Sequence, residues 1–115
     1  MKLEDAGESI RDFIFQNTLE YEKFNIQYLL IIEGQASLDS YPENYELSYK
    51  RALSLKKFWD NRGIHFGNKC EVLISGSGDG KLSGTDFMRE TIEAYNQRFL
   101  IHIIPKPGMV QSVTK

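Results

Sequence analysis

At 115 residues, the chain has the length of one domain with a single modest core. Fourteen Lys and Arg against sixteen Asp and Glu leave a net charge of −2, which argues against nucleic-acid binding through bulk positive charge. One cysteine, Cys70, excludes an intramolecular disulfide framework and a Cys-based zinc site, and two histidines, His65 and His102, are too few to suggest a zinc cluster.

The first segment reads as a helix from about Leu3 to Lys23. Leu3, Ala6, Ile10, Phe13, Ile14, Asn17 and Tyr21 recur at three- and four-residue steps and form its apolar stripe. Its start, MKLEDAGES, is acidic and lacks the apolar segment of a secretory leader, so any export signal or membrane anchor is expected outside this chain. The longest apolar run, Tyr28 to Ile32, has five residues, far short of the ~18–20 of a membrane span.

Tyr28–Gly34 is a continuous apolar run ending in glycine, the pattern of a strand buried on both faces. Loop chemistry follows through Ser37, Asp39, Ser40, Pro42 and Asn44. The next stretch, to Arg62, is the clearest helix. Ser48, Ala52, Leu55 and Trp59 form its inner stripe, and Phe58 lies on the border. Asn44 suits the N-cap, Glu43 and Glu46 suit the positive end of the helix dipole, and Gly63 suits a left-handed C′ position.

Glu71–Ser75 reads as a second buried strand, and Gly76–Asp86 as a glycine-rich loop. Phe87–Tyr95 is a short helix or an irregular excursion. Arg98–Ile104 reads as a third strand, ended by Pro105 and Pro107 ahead of a loose tail. Two strands joined by an amphipathic helix make a right-handed βαβ unit. The expected class is α+β, a small mixed sheet with helices on one face. Ile31, Leu55, Trp59, Leu73 and Ile101 are the expected shared core.

Several motifs invite chemistry that the residues do not sustain. A phosphate loop at GSGDGKLSG would need Gly at position 75 and Ser or Thr at 82, where the chain has Ser75 and Leu82. Cys70 has no histidine in an obvious helper position and reads as a structural thiol. His102 sits among isoleucines, and Asp79, Asp86 and Glu90 are scattered as on any surface. No enzyme activity, metal or cofactor is expected. Lys50, Arg51, Lys56, Lys57 and Arg62 form a basic strip of the kind that is usually a solvated helix face. Arg51 differs in position. It lies about fifty degrees from the centre of the buried stripe, near the helix start and the loop leaving the first strand. Ligands of open α/β folds bind outside the carboxyl ends of strands, and a guanidinium there suits a carboxylate held by two parallel hydrogen bonds.

Asn44-x-x-Leu47-Ser48-x-x-Arg51-Ala52-x-x-Leu55 resembles the N-x-x-L-S-x-x-R-A-x-x-V motif of the OmpA-like C-terminal domain. That family includes outer-membrane protein A, the peptidoglycan-associated lipoprotein and the flagellar stator protein MotB. Ile31–Ser37 is similar to its V-x-G-H-T-D, Gly63-Ile64 to the Gly-Ile after its second helix, Ser75–Gly78 to its G-x-G loop, and Asn96–Ile101 to N-R-R-V-E-I. The landmarks occur in order over roughly Leu3 to Ile104.

The resemblance implies a βαβαβ domain over residues 1–104 and a tail over 105–115. By this resemblance the family's first strand is expected to be missing, because the chain begins near the family's first helix. The exposed sheet edge is then expected to pair in a homodimer or to be covered by Met109–Val113. The resemblance also implies a non-enzymatic module of the bacterial periplasm or cell envelope that holds a peptidoglycan stem peptide through its diaminopimelate residue. The implied ligand-binding positions are Gln35, Ser37, Asp39, Asn44, Leu47, Ser48, Arg51 and Arg98. The family's clasping Arg falls on Arg51, but its Asp falls on Ser37, and its His and Thr fall on Gln35 and Ala36. Loss of a charged hydrogen-bond partner costs on the order of 1.5–3 kcal/mol. Asp39 is a candidate substitute. The alternative expectation is a degenerate module that has lost the clasp and joins envelope proteins, as in a stator-like complex.

Overall fold

The alternation of apolar residues sets the architecture. In the computed structural model, which describes residues 2–36, 44–78 and 98–106, the elements are α1 (Lys2–Glu20), a 3-10 turn (Glu22–Phe24), β1 (Gln27–Gly34), α2 (Asn44–Asn61), β2 (Cys70–Gly76) and β3 (Phe99–Lys106). Among these residues the fold is α+β, with two helices and a small mixed three-stranded sheet of order β2-β1-β3. β1 and β2 run parallel, joined by α2 as expected, and β3 is antiparallel to β1. Residues 37–43, 79–97 and 107–115 lie outside the described set, and with them the expected loop from Asp79, the helix over 87–95 and the tail.

Side chains alternate across a strand, and the register assigns each face. Tyr28, Leu30 and Ile32 of β1 meet Val72 and Ile74 of β2 and Ile101 and Ile103 of β3 on one face, and α2 packs there with Ala52, Leu55 and Trp59. Ile14 of α1 joins the same cluster. Two expected core residues are therefore displaced. Ile31 is half-buried on the opposite face, and Leu73, paired with it, is 42% exposed. β1 is likewise not buried throughout, since Leu29 and Ile31 stay half-exposed. A continuous apolar run carries no parity, so it does not show which residues meet the helices.

The stripe of α1 also shifts. Gly7 and Ile14 are buried, whereas Leu3, Phe13 and Tyr21 are exposed. The cause is close packing at Gly7, where a Cβ would lie 2.6 Å from Trp59 Nε1. That indole N–H donates to Leu3 O at 2.8 Å. The helix stops at Glu20 rather than Lys23, and the chain turns through left-handed Asn25 (φ 51°) into β1.

α2 matches its expected stripe, and its end is a Schellman motif. Gly63 has φ +71°, its N–H donates to Asp60 O at 3.1 Å, and the Ile64 N–H donates to Trp59 O at 2.9 Å. Ile64 then folds into the core beside Trp59. At the other end, Gly34 and Gly76 face each other in register at the carboxyl ends of β1 and β2. Their missing side chains let the first turns of α2 lie directly on the strands.

β3 runs through Pro105 instead of ending before it. The Gln35 N–H donates to Arg98 O at 2.8 Å, which makes that a hydrogen-bonded pair. Alternation then makes Tyr28 and Pro105 a non-bonded pair. The Pro105 nitrogen faces away from β1, where its missing donor costs no ladder bond.

Candidate ligand-binding site

Arg51 leaves α2 one residue before buried Ala52, at the border of the inner stripe. It is half-buried, with Nη1 shielded from solvent. It lines a cavity of about 520 Å³ between α1, α2 and the start of β3, a size suited to a small ligand. Leu3, Leu47, Leu55, Phe58 and Phe99 form the apolar wall, and Lys50, Arg51 and Ser54 supply the polar side. Two cations beside an apolar lining suit an anion with an apolar body. Lys50 also bonds Glu46 at 2.9 Å, an exposed i,i+4 pair that a ligand anion could outcompete.

The described part of the segment after β1, Gln35 and Ala36, does not line this cavity, and Ser37 and Asp39 lie outside the described residues. α2 rests directly on Gly34, where a Cβ would come within 2.0 Å of Ser48 O. The cavity beside Arg51 borders Leu3 of α1 and Phe99 of β3.

A second constellation occupies the carboxyl ends of β1 and β2. Glu33, 3% exposed, accepts from Ser77 Oγ at 2.6 Å and from His102 Nε2 at 2.8 Å. Gln35 Nε2 reaches Glu33 Oε2 at 3.5 Å, and Arg98 Nε donates to Gln35 Oε1 at 3.1 Å. The backbone closes the same region: the Ser77 N–H donates to Gly34 O at 3.1 Å and the Ala36 N–H to Gly78 O at 2.7 Å. Ser48 Oγ donates to Tyr45 O at 2.9 Å and accepts from the Gly78 N–H at 3.0 Å, pinning α2 to the end of β2.

The structure thus divides the predicted set. Leu47 and Arg51 share the cavity, Gln35 and Arg98 share the buried network, and Ser48 holds elements together. Asn44 opens α2, and its side chain lies outside the described set, as do Ser37 and Asp39. Glu33, Ser77 and His102 are not among the expected ligand-binding positions. One carboxylate in the apolar run of β1 and one histidine in that of β3 were the available signal. Placing them side by side required the strand register.

Cys70 lies on a separate cavity of about 280 Å³ with Lys56, Asp60, His65 and Phe66. Asp60 pairs with Lys56 at 2.9 Å and lies 3.8 Å from His65 Nδ1. Burial pushes the Cys70 thiol above its ordinary pKa, with Lys106 partly opposing. The neutral thiol is a poor nucleophile. Iodoacetamide should alkylate it more slowly in the native protein than in urea at the same mildly alkaline pH. A thiol pKa raised by folding contributes stability below the unfolded value and loses it as pH rises through the folded one. Cys70→Ser should flatten that alkaline decline in a denaturation series.

Among the described residues no cluster of three or more His, Cys, Asp or Glu could hold a metal ion, and no helix is long and apolar enough to cross a membrane. No family model, curated protein or solved structure matches the chain.

Proposed function

We propose that the chain is a non-covalent peptidoglycan-binding domain of OmpA-like type from a bacterial cell-envelope protein. In this reading Arg51 takes a stem-peptide carboxylate. The observation that carries it is the Arg51 cavity, where Arg51 and Lys50 border an apolar chamber of about 520 Å³. A guanidinium held at such a border pairs strongly with carboxylate. The ordered motifs around Asn44–Leu55 and the β1-α2-β2 unit support the same reading.

Co-sedimentation with purified sacculi tests it. Wild-type protein should pellet, and Arg51→Ala should weaken binding roughly ten- to hundred-fold, the equivalent of one charged hydrogen-bond partner. Ser37→Asp should strengthen it by restoring an acidic partner for the ligand ammonium. A second reading, an interaction module without a cell-wall ligand, draws on the internal bonds that occupy Gln35 and Ser48. It prevails if wild-type protein stays in the supernatant with sacculi of both diaminopimelate and lysine chemistry.

A further inference from the structure

The cavity beside Arg51 follows one flank of α2. Leu47, Lys50, Arg51, Ser54, Leu55 and Phe58 recur in its lining at three- and four-residue steps, a run of roughly 16 Å at the rise of an α-helix. The two ends of the run differ. Lys50 and Arg51 stand in the first half of α2, where Phe99 joins them from β3: Phe99 pairs with Gly34, and Gly34 lies against Ser48 O. Toward the helix end the lining is Leu55 and Phe58, met by Leu3 of α1, whose carbonyl accepts from the Trp59 indole at 2.8 Å. Arg62, the next cation along, stacks on Phe58 and faces Glu4 at 3.7 Å.

The cavity is therefore cationic at one end and hydrocarbon at the other. Leu47, Phe58 and Phe99 are only half-buried and Leu3 is 41% exposed, so their apolar area is open to an occupant. Among the described lining residues, Ser54 alone adds an uncharged polar side chain. A peptide laid along this wall would leave amides against leucine and phenylalanine, where an unmet amide is costly. A hydrocarbon chain carries no such group.

We infer that the cavity takes a straight-chain carboxylate of medium length, with its carboxylate at Arg51 and Lys50 and its hydrocarbon along Leu55 and Phe58 toward Leu3. The inference rests on the carboxylate role of Arg51 proposed above and adds the chemistry of the body behind that carboxylate. Burial of the hydrocarbon supplies affinity in proportion to chain length, and the guanidinium fixes which end enters where. The acyl carboxylate and a stem peptide then compete for one guanidinium, and the acyl carboxylate releases the domain from sacculi.

Titration of isotope-labelled protein with octanoate, butanoate and 1-octanol, read by methyl and backbone NMR, tests the assignment. Octanoate should bind saturably, with shifts centred on Leu3, Leu47, Leu55 and Phe58. Each buried CH₂ adds up to roughly four-fold in affinity, so octanoate should bind more than about tenfold tighter than butanoate. 1-Octanol keeps the chain without the charge and should bind roughly ten- to hundred-fold more weakly, as should octanoate to Arg51→Gln. Ser54→Trp, at an exposed helix position, should fill the chamber and abolish binding with an unchanged far-ultraviolet spectrum. Butanoate or 1-octanol binding as tightly as octanoate would overturn the inference, as would shifts confined to the exposed Leu19 and Phe24. Co-sedimentation with sacculi separates this inference from the peptidoglycan reading. Protein that pellets with sacculi and ignores octanoate overturns the inference alone, and protein that binds octanoate but no sacculi supports it and overturns only the peptidoglycan reading. Where both bind, octanoate should release the protein from the pellet, and protein that stays there would overturn the shared site.

Discussion

Gly34→Ala will leave the domain without a cooperative folding transition. A Cβ at position 34 would lie 2.0 Å from Ser48 O, 2.9 Å from Ser48 C and 3.4 Å from Ala52 N, all backbone atoms of α2. No rotamer change can relieve that overlap, so α2 must lift from the sheet. Lifting it withdraws Ala52, Leu55 and Trp59 from the core. Trp59 alone, if truncated, would cost ~3–5 kcal/mol, comparable with the ~5–15 kcal/mol by which a whole domain is stable. Gly63→Ala is the contrasting substitution. Nothing lies within 4 Å of its Cβ, and only the positive φ opposes it, at a cost of roughly 1–2 kcal/mol. Thermal melts followed by circular dichroism should show no transition for Gly34→Ala and a modest downward shift for Gly63→Ala.

Glu33→Ala should destabilise the fold by more than a single unmet buried hydrogen bond, each worth ~1–3 kcal/mol, because it strips the acceptor from both the Ser77 hydroxyl and the His102 ring. Ser77 Oγ and His102 Nε2 both bond this carboxylate, and Gln35 reaches it on the way to Arg98. Glu33→Gln keeps the shape and one acceptor oxygen, and should cost less, ~1–3 kcal/mol. Urea unfolding should separate the two by midpoint with a common slope. The two variants should also loosen the segment after β1, which Gln35 anchors through Arg98. A Glu33→Ala midpoint within error of wild type would mean that water replaces the carboxylate at no cost.

The coarse fold was legible because each α2 feature acts locally. The stripe Ser48, Ala52, Leu55 and Trp59 has helical spacing, and Gly63 marks the terminus where the Schellman bonds form. The parallel β1–β2 pair follows from a helix joining two apolar runs. What stayed hidden depends on register and on contacts distant in sequence. Ile31 and Ile32 are equivalent in composition, but only Ile32 meets the helices. Pro105 looked like a strand end because its permitted position is defined by the partner strand. Phe13 looked like core because its spacing matches Ile10 and Tyr21, whereas the close approach of Gly7 to Trp59 rotates the buried stripe away from it. Of the candidate site, Arg51 was found by its place on the helix border. The cavity walls from Leu3 and Phe99 required the tertiary fold.

The central claim is that Arg51 takes a carboxylate in the cavity between α1, α2 and β3. Titration of isotope-labelled protein with a soluble diaminopimelate-containing stem peptide, followed by backbone and Arg side-chain NMR, tests it most directly. Saturable shifts should concentrate at Leu47, Lys50, Arg51, Ser54 and Phe99, which border the cavity. The Arg51 Nε–H signal should move the most, and Arg51→Ala should abolish the shifts while leaving the rest of the spectrum folded. A spectrum unchanged by the peptide, or shifts confined to residues remote from Arg51, would contradict the claim.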